Sequence, residues 1–423
     1  MTAALAALER DGVAGVLGDL LAIPSVTGTQ AESRAQHVLA EWYAEAGLHV
    51  DHWPIDLEAV TRSPDFPGME APRTQAWGLV GTWTGPAGGD RPGPTLVLNG
   101  HVDVVPPGDL SQWTTAPFQP RVAEGADGRE SVYGRGAADM KAGLVASLLA
   151  LRAVRSAGVP LRGAVHLHSV VGEEDGGLGT FATLQRGYAG DLAVIPEPTS
   201  CQIVCANGGA LTFRLTVRGQ ATHASLRKSG VSAVEALWPI WRALAALEER
   251  RNAQVHPLMA HLDPAYPLSI GTVRAGDWPS TVPDLLVAEG RLGVALGEDV
   301  ATARQDLRDA VADACAGDGW LAAHPAEVEF VGGQFAPGYT DRDSRVVRLV
   351  AEAHERETGE PPDVRGAPYG SDLRLFAAAG VPVLHYGPGS AHLAHAPDEH
   401  VPLAEIVQTA EVLVRLIVSV CGA

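Results

Sequence analysis

The sequence predicts an α/β protein: a larger domain with a mostly parallel sheet flanked by helices, interrupted by an inserted ferredoxin-like α+β domain. Three observations predict it. From Thr95 onward, short apolar runs alternate with helix-like runs, the order that builds a parallel sheet. After about residue 209 the texture changes to strands with one solvated face. The first pattern then resumes at Arg345, so the larger domain is discontinuous in sequence. The expected divisions are 1–208 and 332–423 for the larger domain, and 209–331 for the insertion. At 423 residues the chain is longer than a single core ordinarily serves.

In chain order, residues 5–21 and 30–46 have helical apolar spacing, separated by a loop at 23–28. Residues 60–92, rich in proline and glycine, read as a surface excursion. Then come a strand at 95–105, a helix at 140–157, a strand at 164–171, a helix at 178–188 and a strand at 191–195. In the insertion, 210–218 alternates as a half-solvated strand, followed by a helix at 231–251 and strands at 269–273 and 285–292. A helix at about 301–315 and a closing strand at 327–330 complete a β-α-β-β-α-β order. Beyond it, 345–358 reads as a helix and 381–386 as a buried strand.

The residues able to do chemistry sit just past the carboxyl ends of the apolar runs, where open α/β sheets bind ligands. One run delivers His101-Val-Asp103. The next ends in Gly172-Glu173-Glu174-Asp-Gly-Gly177, and a third in Ile195-Pro-Glu197-Pro. Asp139 lies in Gly134-Arg-Gly-Ala-Ala-Asp139-Met-Lys-Ala-Gly143, and His395 in Leu393-Ala-His395. Singly, each has a plainer explanation: a hydrogen-bonded structural histidine, a helix-capping aspartate, a solvated pair of glutamates. Together they form the inventory of a two-metal hydrolytic site, with nitrogen and oxygen donors suited to zinc, cobalt or manganese. The expected chemistry is water activated between two cations, with one free carboxylate as general base. His392, His395 and His400 compete for the last ligand position, and spacing does not choose among them. His166 and His168, mid-strand with one parity, read as hydrogen-bonded sheet histidines.

Composition narrows the partners. Hydrophobic residues make up 46% and charged residues 19%, a globular balance. A formal net charge of −19 argues against nucleic acid or an anionic membrane. The start of the chain lacks a secretory pattern, and no charge-free apolar stretch is long enough to span a bilayer. The four cysteines have no zinc-ribbon or redox spacing, which fits a reducing cytoplasmic setting.

As a set these motifs resemble one family. Asn99-Gly-His101-Val-Asp103, Trp113 with Pro117-Phe118, Tyr133 to Gly143, Glu173-Glu174, Glu197-Pro-Thr199 and Ala394-His395-Ala-Pro-Asp-Glu399 are similar, in order, to its successive motifs. The family is the di-zinc hydrolases of acetylornithine deacetylase, succinyl-diaminopimelate desuccinylase, aminoacylase and carboxypeptidase G. The resemblance covers nearly the whole chain and implies a zinc-peptidase-like fold. It implies that His101 and Glu197 hold one metal, Glu174 and His395 the other, and that Asp139 bridges both. Asp103 then orients the His101 ring, and Glu173 takes the proton from the attacking water. His223, in Gly219-Gln-Ala-Thr-His223-Ala-Ser, is implied to polarise the scissile carbonyl, often from the partner subunit of a homodimer formed through the inserted domain.

One stretch departs from the pattern. The family's Asn-x-Val-Pro reads Ser280-Thr-Val-Pro283 here, and the family's arginine position is Gly293. Arg291, two residues earlier and on the same strand face, is a substitute. Ser371 and Arg374, at the start of an apolar helical run, are further candidates for holding a substrate carboxylate, with Asn207 as another substrate contact. The expected enzyme removes an N-acyl group, N-acetyl foremost, from a small-molecule amino acid or related amine. A dipeptidase or carboxypeptidase is the enzymatic alternative, and a non-catalytic metal- or ligand-binding homologue the remote one.

Overall fold

The computed structural model describes residues 1–84 and 93–422. Two compact units divide the chain: Met1–Cys205 with Tyr339–Arg365 and Ser371–Ala423, and Ala206–Gly338 with Gly366–Gly370. The insertion is therefore longer than 209–331 at its far end. Its last strand, Glu327–Phe335, runs past the expected stop at Phe330 through a register shift between Phe330 and Gln334. Gly332-Gly333 breaks the alternation there, which hid the strand's continuation.

In the first unit, strand Thr95–His101 pairs in parallel with Ala164–Val170 on one side and Leu192–Ile195 on the other. Leu192–Ile195 also pairs in parallel with Val383–His385. These runs are nearly all buried, which explains their apolar rather than alternating composition. The sheet is extended by antiparallel strands Trp77–Thr84 and His49–Pro54. Trp77–Thr84 corrects the reading of residues 60–92 as a surface excursion. Leu79 and Val80 are fully buried, and Gly81 is needed because a Cβ there would meet the Tyr43 ring at 2.6 Å. The remainder of that stretch, 85–92, lies outside the described residues.

Helix Ala142–Ser156 packs against the C-terminal helix Leu403–Cys421, which the sequence reading did not assign. The expected helix over 5–21 is two, Thr2–Ala6 and Val13–Leu21, broken at Asp11-Gly12. Helix Arg345–Thr358 ends at Gly359, whose φ of 83° suits a glycine C-cap. Among the described residues, no helix is long and apolar enough to cross a membrane.

The second unit has a four-stranded antiparallel sheet in the order Leu268–Ala275, Leu285–Val294, Gly209–Arg218, Glu327–Phe335. That is the ferredoxin-like order. Helices Ala233–Arg251 and Val300–Ala316 share a core with Phe213, Leu215, Leu286 and Leu292. The opposite sheet face carries charge, with Arg214 donating to Glu289 at 2.8 Å.

Candidate metal centre

Each parallel strand ends where its apolar run ends, and the backbone released there carries the polar residues to one place in the first unit. His101 closes its strand, Glu173-Glu174 follow Ala164–Val170, and Glu197 follows Leu192–Ile195. Asp139 sits in an irregular turn, Ala137–Lys141, where its own φ of −116° and ψ of 97° leave helical geometry. His395 comes from the 390s loop with a left-handed φ of 63°.

The distances describe a chain of donors. His101 Nε2 is 3.1 Å from Asp139 Oδ1 and 3.7 Å from Glu197 Oε1. His395 Nε2 is 3.1 Å from Glu174 Oε2 and 3.7 Å from the other Asp139 oxygen. Asp139 thus presents one oxygen to each histidine, the arrangement a bridging ligand requires. Donor atoms of His101, Asp139 and Glu174 lie within 4.8 Å of one another, as do those of His101, Glu173 and Glu197. Of the three competing histidines, His395 alone reaches this cluster. His400 stacks on Tyr133, its ring centroid 4.5 Å away, and His392 is exposed.

Electrostatics explain why such a cluster calls for cations. Burial pushes the Glu197 carboxyl well above its ordinary range, and the charge of Asp139 adds to this. Burial and Asp372 do the same to Glu173, and burial and Asp139 raise Glu174. Burial would lower the His101 imidazole, but its bond to Asp139 and the charges of Glu197 and Asp103 outweigh it and raise it well above its ordinary range. A divalent ion bound among them would compete with protons for these groups. The donor set of two imidazoles and three carboxylates fits zinc, cobalt or manganese.

Three features of the surroundings were not foreseen. Asp103 meets His101 Nδ1 through its main-chain oxygen, at 2.9 Å, while its carboxylate lies 3.7 Å away. That carboxylate accepts from the backbone N–H groups of Glu173 and Glu174, each at 3.2 Å. Beside the expected contact of the Asp103 carboxylate with the ring, its backbone oxygen lies nearer to Nδ1, and the same carboxylate also holds the next motif. Glu399, fully buried, accepts from the N–H groups of Gly136, Ala138 and Asp139 and from Arg135 at 2.7 Å. Arg135 in turn donates to the carbonyl of His395 at 3.2 Å, so one ion pair ties two ligand loops together. Lys141 Nζ, also buried, donates to the carbonyls of Leu20 and Ile23.

Arg374 lies against the 172–177 loop of the same unit. Arg374 is buried, which overturns the alternative that it is a surface residue, and donates to the carbonyls of Ser371 at 2.8 Å and Gly176 at 2.6 Å. Ser371 is not the N-cap of its helix; Asp372 is, and Ser371 Oγ bonds His385 Nε2 at 2.9 Å and Leu373 N at 3.3 Å. His166 and His168 are corrected too. Buried nitrogens of both lack hydrogen-bond partners, because the strand's polar backbone pairs with its neighbours and the rings enter an aromatic layer with Tyr188 and Phe376.

In the second unit, His223 Nδ1 accepts from Ser225 N at 3.2 Å and from Ser225 Oγ at 2.7 Å. With Nδ1 accepting, the ring's donor is Nε2. His223 pairs with Thr281, which brings the two motifs of the insertion together. A Cβ at Gly293 would meet the Tyr266 backbone at 2.7 Å, so no side chain fits the family's arginine position. Arg291 is exposed on the same strand, and Asn207 is buried, its amide donating to Gly208 O at 3.2 Å.

The comparisons with known proteins match this geometry. The family model described as peptidase family M20/M25/M40 matches residues 97–419, most of the chain and every residue of the cluster. The chain belongs to this family. It is a hydrolase acting on linear amide bonds. The chain is 28% identical over 414 residues to the N-formyl-4-amino-5-aminomethyl-2-methylpyrimidine deformylase of Halalkalibacterium halodurans, covering 92% of this chain and 89% of that one. It is 31% identical over 419 residues to the succinyl-diaminopimelate desuccinylase of Methylobacterium nodulans, covering 94% and 93%. Among solved structures, an M20 family metallo-carboxypeptidase from Sulfolobus solfataricus shares the fold with a TM-score of 0.74 at 17% identity, covering 96% and 98%.

Proposed function

We propose that this enzyme removes the N-acyl group from an N-acyl amino acid or related small amine, with two divalent cations, zinc first, as cofactors. The observation that carries the reading is Asp139, which offers one carboxylate oxygen to His101 and the other to His395. In this reading His101 and Glu197 hold one cation, Glu174 and His395 the other, and Asp139 both. Ions held there would supply Lewis acidity toward the amide oxygen and the attacking water. Glu173 receives the proton of the attacking water and returns it to the leaving amine. Its burial supports this, because a carboxyl raised above its ordinary range can hold a proton during turnover. His223 donates from Nε2 to the developing oxyanion. Arg291 and Arg374 are the candidates for holding the substrate carboxylate, with Ser371 and Asn207 as polar neighbours. The four buried cysteines are free thiols, in keeping with a cytoplasmic enzyme.

The test is a panel of N-formyl, N-acetyl and N-succinyl amino acids, their amides, N-formyl aminomethylpyrimidines and simple dipeptides. Turnover of the N-acyl compounds that chelation abolishes and zinc or cobalt restores is expected. Preference for dipeptides would transfer the assignment to a peptidase, and no turnover with two bound metals would support a non-catalytic role.

We also propose a homodimer through the inserted domain. On helix Ala233–Arg251, Val234, Trp238 and Trp241 follow helical spacing yet are exposed, Trp238 at 65%. The edge strand Leu268–Ala275 is open and carries exposed Val273. If His223 acts in the partner's site, mixing His223→Ala with Glu173→Gln is expected to recover part of the lost activity, since one hybrid site is whole. Subunit exchange with no recovery would place His223 in its own chain's site or outside catalysis.

A further inference from the structure

We propose that Arg73 is a positioning residue for the reacting carboxylates: through Asp175 it fixes the 172–177 loop so that Glu173 and Glu174 face the cluster and Asp175 faces away from it. The inference rests on the roles given above to Glu173 and Glu174.

Arg73 comes from the proline-rich stretch, yet its side chain is fully buried. Its guanidinium lies between two buried carboxylates. Nη1 and Nη2 donate to the two oxygens of Asp175 at 2.8 and 2.9 Å. Nε and Nη2 donate to the two oxygens of Glu32 at 3.0 and 2.9 Å. Both pairs are bidentate, the geometry that fixes direction as well as distance. Asp175 Oδ2 also accepts from the N–H groups of Glu70 and Ala71, at 3.1 and 2.8 Å, so the arginine's own segment closes around it. Glu32 anchors the other side on helix Gln30–Glu45 and accepts from Gly28 N at 3.0 Å.

The segment leaves no space over the loop. A Cβ at Gly172 would lie 2.9 Å from Arg73 Nη2, and one at Gly176 would lie 2.2 Å from Gly68 O. Left-handed φ values of 68° at Gly172 and 89° at Gly177 turn the loop at both ends. Three acidic residues in a row stand between those turns, and all could enter a site that attracts cations. Two do. The third is held by a charge of opposite sign, which keeps it from competing as a ligand. Burying one cation with two carboxylates is costly unless every bond is made. Such an arrangement adds little net stability, but it sets direction.

The test uses the full-length enzyme loaded with cobalt. Arg73→Lys keeps the charge and cannot make two bidentate pairs. It is expected to shift the cobalt absorption spectrum, weaken one of the two bound metals by about 10–100-fold, and lower kcat by a similar factor with KM little changed. Asp175→Asn, milder for folding, is expected to move the spectrum and kcat in the same direction. An unchanged spectrum and kcat in a folded variant would overturn the proposal. So would a lower Tm with normal kcat per loaded enzyme, which marks a structural role alone. Glu173→Gln, measured alongside, separates the two readings: full activity there removes the base, whereas the cobalt spectrum of Arg73→Lys reports ligand geometry without reference to turnover.

Discussion

Glu173→Gln is expected to bind two metal ions as the parent does and to turn over substrate about 10²–10⁴ times more slowly, the range that general acid–base help supplies. The substitution keeps the volume and hydrogen-bonding shape of a side chain that is 8% exposed, so packing is little disturbed. It removes only the capacity to take a proton. The geometry makes this a sharp test, because Glu173 lies within ligand distance of His101 and Glu197. If Glu173 were a ligand, the Gln variant would lose metal along with activity. Metal content measured by elemental analysis beside kcat therefore decides between base and ligand. Near-normal turnover would remove Glu173 from both roles.

Where the placement of the cluster depends on local sequence, it was legible in the chain. His101, Asp139, Glu173, Glu174 and Glu197 each follow an apolar strand or a glycine-bounded turn, so their placement past the carboxyl ends of the strands could be read from the order of runs, whereas the choice of His395 over His392 and His400 could not. Helix Arg345–Thr358 has an apolar stripe and an N-cap serine, Ser344, and its bounds were legible from both. The supporting groups were not. Glu399 and Arg135 are 264 residues apart, and nothing near either marks them as a buried pair. Arg73 sits among prolines and glycines that signal a surface loop, and only the tertiary fold carries it inward. Strand Trp77–Thr84 was hidden for a related reason: its two glycines, Gly78 and Gly81, read as turn residues. Each in fact makes room for an aromatic ring, that of Trp53 or Tyr43. Periodicity reports which face is buried; it does not report which distant polar group will meet another inside.

Asp139→Ala is expected to lower affinity for both cations by more than about 100-fold, a larger loss than an outer hydrogen-bond partner produces. Its two oxygens face His101 and His395 separately, so no other residue of the cluster can take over for either. The loss should come without unfolding. The backbone N–H of Asp139 is held by Glu399 at 2.9 Å, and that bond does not need the side chain. Circular dichroism and the Tm of the chelated protein should therefore stay close to the parent's. Added zinc should raise the parent's Tm and leave the variant's nearly unchanged, because only a form that binds the ligand is stabilised by it. Activity should fall with metal content and return only partly at high zinc, since two cations roughly 3.5–4 Å apart need a shared anion to offset their repulsion. Two ions still tightly bound to Asp139→Ala would remove the bridge, and with it the observation on which the two-metal reading rests. One tight ion and residual turnover would point instead to a single-metal hydrolase, with the surviving histidine identifying the site that works.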